Sequence, residues 1–182
     1  MRILLEGAQG TGKSTLIETL KRRVPGIKIT PQLRPDFSIT DKTKMQIKVI
    51  DDYIKQLENN PNGVWDRGFL SGLAMTKFLT DDEKQLPDDT ALKYYLSKKE
   101  MLSQVYDLIF ILRPLDVNSV PDDNRRDTNV QNRDKIQNYI EDFAKDLTNV
   151  VYLKKGSPDD YVDQIMEAIQ RNYYESASIN GI

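Results

Sequence analysis

An α/β fold in three layers, with a central parallel sheet of about five strands, helices on both faces and a mobile Arg-rich lid, is what this sequence predicts. Three observations predict it. Short apolar runs alternate with segments of helical periodicity along the chain. The run YDLIFIL, Tyr106 to Leu112, is apolar at every second position and between, as a parallel strand covered on both faces must be. A glycine-rich stretch follows the first apolar run and opens the first helix, and most later connections are short enough for right-handed crossovers.

Taken in order, Ile3 to Glu6 is the first strand and the segment STLIETLKRR, with Leu16, Ile17 and Leu20 at helical spacing, is the first helix. Val24-Pro25-Gly26 stops that helix. Ile27 to Thr30 reads as a second strand closed by Pro31, and Gln32 to Thr40 as loop. Met45, Ile47, Val49, Ile50, Tyr53, Ile54 and Leu57 place a helix from Asp41 to Asn59, ended by the turn residues NNPNG. A third strand begins at Gly63-Val64-Trp65, helix resumes from Phe69 to Phe78, and Thr80 to Thr90 is an exposed acidic loop. Helix returns from Ala91 to Gln104, the YDLIFIL strand ends at Pro114, and Asn118 to Asn132 has nothing with which to build a core. Arg133 to Leu147 is helical and Val150 to Leu153 is the last strand. Ser157 caps the final helix with Pro158 in its first position, and that helix is expected to end near Tyr174. One domain over residues 1–175 and a frayed tail over 176–182 follow from this reading.

Composition removes several chemistries. Among 182 residues there is no cysteine and no histidine, so disulfides, thiolate nucleophiles, imidazole bases and the usual zinc ligands are excluded. Lys, Arg, Asp, Glu and a hard metal must carry any reaction. With 26 basic and 28 acidic residues, the formal charge of −2 creates no field to gather a polyanion; nucleic acid is possible as a partner through a local patch but is not favoured. The apolar run at the amino terminus is too short for a signal peptide or a membrane span, and a cytoplasmic location is the expectation.

Gly7-Ala8-Gln9-Gly10-Thr11-Gly12-Lys13-Ser14 matches G-x-x-x-x-G-K-[ST] and lies between strand and helix, where that motif works. Its glycines let successive N–H groups turn inward, and the following helix adds its positive end, so Gly7, Gln9, Gly10, Thr11, Gly12, Lys13, Ser14 and Thr15 are candidates to hold a polyphosphate. Lys13 supplies a mobile charge, and the Ser14 hydroxyl is a candidate ligand for Mg²⁺. ATP is expected as donor, with GTP left open.

Trp65-Asp66-Arg67-Gly68 follows the third strand and sets a carboxylate and a guanidinium at the carboxyl edge of the sheet. Asp66 can take a proton from an attacking hydroxyl or stand near the metal, and Arg67 can clamp a phosphate. A plain surface Asp-Arg pair is the competing reading. Trp65 is expected in the core. Arg34, just past the second strand, is a candidate for the acceptor or an ordinary surface arginine. Arg125, Arg126 and Arg133 lie in and beside the stretch without core residues, which suits a lid that excludes water, although alternating charges also suit a solvated face. Asp107 opens its strand and is badly placed for a metal-binding acid, which leaves Asp66, ahead of Glu6, for an outer shell.

The motifs GAQGTGKST, WDRG, YDLIFILRP and VPDDNRRDTNVQNR together resemble the P-loop nucleoside and nucleotide kinases, especially thymidylate kinase-like and ribosylnicotinamide kinase-like proteins, among them small kinases grouped with the AAA-type ATPases. The likeness spans nearly the whole chain. It implies the P-loop NTPase fold, acceptor handling by Asp66 and Arg67, and transition-state contacts from Arg125, Arg126 and Arg133. Asn124 stands where the ribosylnicotinamide kinase lid has glycine, and only Arg34-Pro35 stands where thymidylate kinases have Glu-Pro. The expected activity is transfer of a γ-phosphoryl group from ATP with Mg²⁺ to a nucleoside or nucleoside monophosphate, by a monomer or homodimer. Kinases of nicotinamide riboside, of a modified base or of a 5′ hydroxyl in nucleic acid, and a nucleotide-dependent switch, are the alternatives.

Overall fold

The computed structural model describes residues 1–114 and 130–179. In chain order the elements are β1 (Arg2–Glu6), α1 (Lys13–Arg23), β2 (Ile29–Thr30), α2 (Lys42–Asn59), β3 (Gly63–Asp66), α3 (Phe69–Asp81), α4 (Thr90–Gln104), β4 (Leu108–Ile111), α5 (Val130–Ala144), β5 (Val150–Tyr152) and α6 (Pro158–Ile179). The five strands form one parallel sheet in the order β2-β3-β1-β4-β5. β1 is central, with Leu5 opposite Asp66 on one side and Phe110 on the other.

Every expected strand and helix is present, and the differences are at the ends. β2 shrinks to two residues because the Pro25-Gly26 turn precedes it and Pro31, with no N–H to donate, ends it. α2 starts after Asp41, whose carboxylate accepts the Lys44 N–H at 3.1 Å. α6 continues to Ile179 instead of stopping near Tyr174, because no glycine or proline interrupts it and the Ser178 hydroxyl donates back to the Tyr174 carbonyl at 2.8 Å. At its other end the expected cap is present: Ser157 Oγ accepts the Asp160 N–H at 3.2 Å, and Asp160 accepts the Ser157 N–H at 2.7 Å.

The alternation of side chains along the central strands divides the core into two layers. Ile3, Leu5 and Phe110 face α1 and α6, meeting Leu16, Leu20, Val162 and Ile165. Leu4, Trp65, Ile109 and Ile111 face the other way, toward α2 to α5. Trp65 is fully buried there and packs edge-on against Tyr106, with ring centroids 5.7 Å apart, as expected for a core residue. The chain passes from the β2–β3 side of β1 to the β4–β5 side, so a crevice opens beyond the carboxyl end of β1. Among the described residues no helix is long and apolar enough to cross a membrane.

Candidate active site

The loop from Gly7 to Gly12 leaves β1 at that crevice. Gly7, Gly10 and Gly12 have φ of 142°, 72° and 81°, a backbone course that side chains with a Cβ strongly resist. Gly7 has a second reason to be glycine, since a Cβ there would stand 2.5 Å from the Leu112 carbonyl oxygen. Lys13 is buried and its ammonium turns into the loop, donating to the carbonyls of Gly7 and of Ala8 (2.8 Å) and to Thr11 Oγ1 (2.8 Å). Gly12, which has no side chain with which to cap, precedes α1, so the positive end of that helix faces the loop. Ser14 and Thr15 are exposed in that first turn. On the far side of the loop, the Ala8 N–H donates to Gln137 Oε1 at 2.9 Å, and Gln137, on α5, is only 4% exposed.

Beneath the loop lies Glu6, the last residue of β1 and fully buried. Its carboxylate accepts the N–H groups of Leu70 (3.0 Å) and Ser71 (3.2 Å) and the Ser71 hydroxyl, and so caps the start of α3. Burial pushes its pKa up, and the Ser71 hydrogen bonds and the charges of Lys13 and Arg67 offset this only in part.

β3 ends beside it. The Arg67 N–H continues the ladder to the Leu5 carbonyl at 2.9 Å, after which Arg67 takes a φ of 64°. That left-handed turn is a strained conformation for a residue with a long side chain. Gly68 follows because a Cβ there would lie 2.1 Å from the Tyr53 hydroxyl. Tyr53 and Tyr106 share a buried hydroxyl–hydroxyl contact, and burial raises the pKa of both.

A cavity of about 630 Å³ runs from Gln9 of the phosphate loop past Arg67, Gly68 and Ser71 to an apolar chamber between α2, α3 and the 31–41 loop, walled by Leu33, Ile39, Met45, Val49, Ile50 and Met75. Phe37, 80% exposed, stands at its rim. Gln46, 5% exposed, is a polar group in this wall. The Thr76 hydroxyl is 3.2 Å from Gln46 Oε1 and 2.9 Å from the Gly72 carbonyl; with one proton to give, it satisfies one end of the Gln46 amide and leaves the other for the cavity. Among the described residues the buried Gln9 Oε1 finds no hydrogen-bond partner, a polar atom in want of a donor.

The structure therefore brings together Gly7, Gln9, Gly10, Thr11, Gly12, Lys13, Ser14, Thr15, Asp66 and Arg67 around the carboxyl ends of β1 and β3. Asp66 is half-buried and is not part of the cavity lining, whereas Arg67, the next residue, lines the cavity. Arg34 is exposed on the loop after β2 and does not line it. Arg133 lies in the first turns of α5 with its side chain 14% exposed and paired to Asp134 at 3.1 Å. Arg125 and Arg126, with the lid they were to form, lie outside the described residues. Asp107 stays at the opposite edge, where its carboxylate accepts the Arg2 N–H at 2.6 Å.

Gln46 and Gln137 were missed by sequence reasoning. Each interrupts the buried stripe of its helix, Gln46 among Ile50, Tyr53 and Leu57, and Gln137 beside Ile140 and Ala144. A glutamine on a core face, which must be hydrogen-bonded to be there, is the signal that could have found them.

For Mg²⁺, the groups present fit what that ion takes from a protein, one or two oxygen ligands with the rest from phosphates and water: Ser14 is exposed in the first turn of α1, with the Asp66 carboxylate on the neighbouring strand. Among the described residues there is no cluster of three or more acidic side chains that would cage a metal unaided.

Among solved structures, deoxyadenosine kinase from M. mycoides is similar over 94% of this chain and 99% of its own, with a TM-score of 0.67 and 19% identity. Thymidylate kinase from Candida albicans is similar over 94% and 92%, with a TM-score of 0.62 and 19% identity. NadR protein, solved in complex with NR, is similar over 94% of this chain and 51% of its own, with a TM-score of 0.61 and 16% identity. At these identities the likeness is one of fold. A search of curated proteins gives no match. The family described as AAA domain matches residues 2–160, a span that takes in the phosphate loop, the Asp66-Arg67 turn and all five strands. On that match the chain belongs to the AAA domain family.

Proposed function

We propose that this protein is an ATP- and Mg²⁺-dependent kinase that transfers a γ-phosphoryl group to a nucleoside or nucleoside monophosphate. The observation that carries the reading is that one cavity borders both halves of such a reaction. Gln9 of the phosphate loop forms one end, the Arg67–Ser71 turn lies beside it, and the chamber beyond is mostly apolar with the amide of Gln46 in its wall. A flat base between apolar walls, with few polar groups to orient it, suits such a space. Solved structures of the same fold include kinases named for deoxyadenosine and thymidylate.

In this reading the loop amides and the positive end of α1 hold the polyphosphate, and Lys13 exchanges part of its contact with the Gly7 and Ala8 carbonyls for phosphate oxygens. Ser14 and, through water, Asp66 would hold Mg²⁺, which when bound would supply positive charge against the negative charge that builds as the γ-group leaves. Asp66 accepts the proton of the attacking acceptor oxygen, and Arg67 holds the acceptor in line. With no histidine in the chain and Glu6 committed to α3, Asp66 is the carboxylate at the sheet edge suited to the proton. We place the protein in the cytoplasm, where ATP and nucleosides meet.

The test is an acceptor screen with labelled ATP and Mg²⁺ over nucleosides, their monophosphates, nicotinamide riboside and oligonucleotides, with Lys13→Ala as control. A labelled nucleotide product made by the wild-type protein and absent with Lys13→Ala is expected. Steady ATP hydrolysis that no acceptor changes would instead mark a nucleotide-dependent switch.

A further inference from the structure

The Gly7–Ala8 peptide is gripped from both sides. Its carbonyl oxygen, on Gly7, accepts from the Lys13 ammonium, and its N–H, on Ala8, donates to Gln137 Oε1 at 2.9 Å. Because a trans peptide points its oxygen and hydrogen in opposite directions, the acceptor on α5 decides which of the two faces the inside of the loop. Glycine at position 7, with a φ of 142°, offers little resistance to a flip of that peptide, so the choice has to be made by a partner. Gln137 makes it. It is itself fixed, since Gln137 Nε2 donates to Glu141 Oε1 at 2.9 Å and Arg113 holds Glu141 through two bonds of 3.2 Å.

We infer that Gln137 is a positioning residue for the phosphate-binding lysine: by holding the Gly7–Ala8 peptide with its oxygen inward, it sets where the Lys13 ammonium stands when nucleotide arrives. The inference rests on the nucleotide-binding reading above. A flipped peptide would direct an N–H at the ammonium, displace it from the loop and change the cradle's shape without touching the acceptor chamber, which Gln137 does not line.

Titration of MgATP into wild type, Gln137→Met and the pair Gln137→Glu with Glu141→Gln tests it. Methionine fills the volume but leaves the Ala8 N–H buried without an acceptor, so MgATP affinity should fall about tenfold or more while acceptor KM stays unchanged. In the paired variant the carboxylate at 137 again accepts from Ala8 and the amide at 141 supplies the missing donor, so most of the affinity should return. Folded Gln137→Met that binds MgATP within about twofold of wild type would overturn the inference even if its melting temperature drops, because a merely structural residue would move only the latter. Wild type that fails to bind MgATP sinks the kinase reading first and takes this inference with it. Should Gln137→Met not fold, hydrogen exchange in wild type decides: the Ala8 amide should be strongly protected without nucleotide, and exchange at the rate of exposed loop amides would overturn the assignment.

Discussion

Gly7→Ala, set against Gly26→Ala, isolates what the phosphate loop demands of its first residue. Both glycines have positive φ, 142° and 81°, so both substitutions strain the backbone. They differ in space. A Cβ at Gly26 meets nothing within 4 Å, whereas at Gly7 it meets the Leu112 carbonyl oxygen at 2.5 Å and Thr11 at 3.3 Å. That oxygen is backbone, and the N–H of the same residue is tied to the Glu6 carbonyl at 2.9 Å, so it cannot retreat without stretching the β1–β4 ladder. Gly26→Ala should cost only the left-handed penalty, about 1–2 kcal/mol. Gly7→Ala adds overpacking against fixed backbone to its φ strain, together about 2–6 kcal/mol, against a total stability of roughly 5–15 kcal/mol for a typical domain. At roughly 2–4 °C per kcal/mol for a chain of this size, Gly26→Ala should melt about 2–8 °C below wild type and Gly7→Ala about 4–24 °C below it, the larger drop of the two. Thermal unfolding gives the first readout and MgATP titration the second, in which Gly26→Ala binds as wild type and Gly7→Ala does not. Equal melting temperatures for the two variants, with wild-type MgATP affinity in both, would refute the packing argument.

Other expectations follow from the same geometry. Asp66→Asn should lower kcat about a hundredfold or more at a much smaller cost in MgATP affinity, which Asp66 serves only through water; an equal loss of both would leave Asp66 a metal or structural residue and not the proton acceptor. Gln46→Leu should raise acceptor KM about tenfold or more, whereas Arg34→Ala, outside the cavity, should leave it within about twofold; the opposite order would move the acceptor to the loop after β2. Glu6→Gln should stabilise the fold at neutral pH. Burial raises the Glu6 pKa above its ordinary 4.5, so the associated stability is present below that value and is lost as pH rises through the folded-state value. Glutamine keeps an acceptor for α3 and never ionises; its melting temperature should exceed that of wild type at pH 7 to 8, and the gap should close toward pH 4. A gap that widens in acid would contradict the sign of the shift.

Local chemistry determined the part of this protein that the sequence makes legible. G-x-x-x-x-G-K-[ST] after an apolar run specifies a turn whose glycines take positive φ, and periodicity alone separates the two-faced YDLIFIL strand from the one-faced helices, because both depend on neighbours within a few positions. The carboxyl-edge position of Asp66-Arg67 followed from the same alternation. What the tertiary structure decided are contacts between residues far apart in the chain. Gln137 reaches Ala8 across 129 positions, Glu6 caps α3 across 64, and Tyr53 dictates the glycine at 68. Arg34, chosen by its place after a strand, is left outside the cavity because the loop that carries it turns its apolar neighbours inward, Leu33 and Pro35 among them. A side chain's neighbours within one turn are fixed by its own helix or strand, but its neighbours across the core are fixed only when every element has packed.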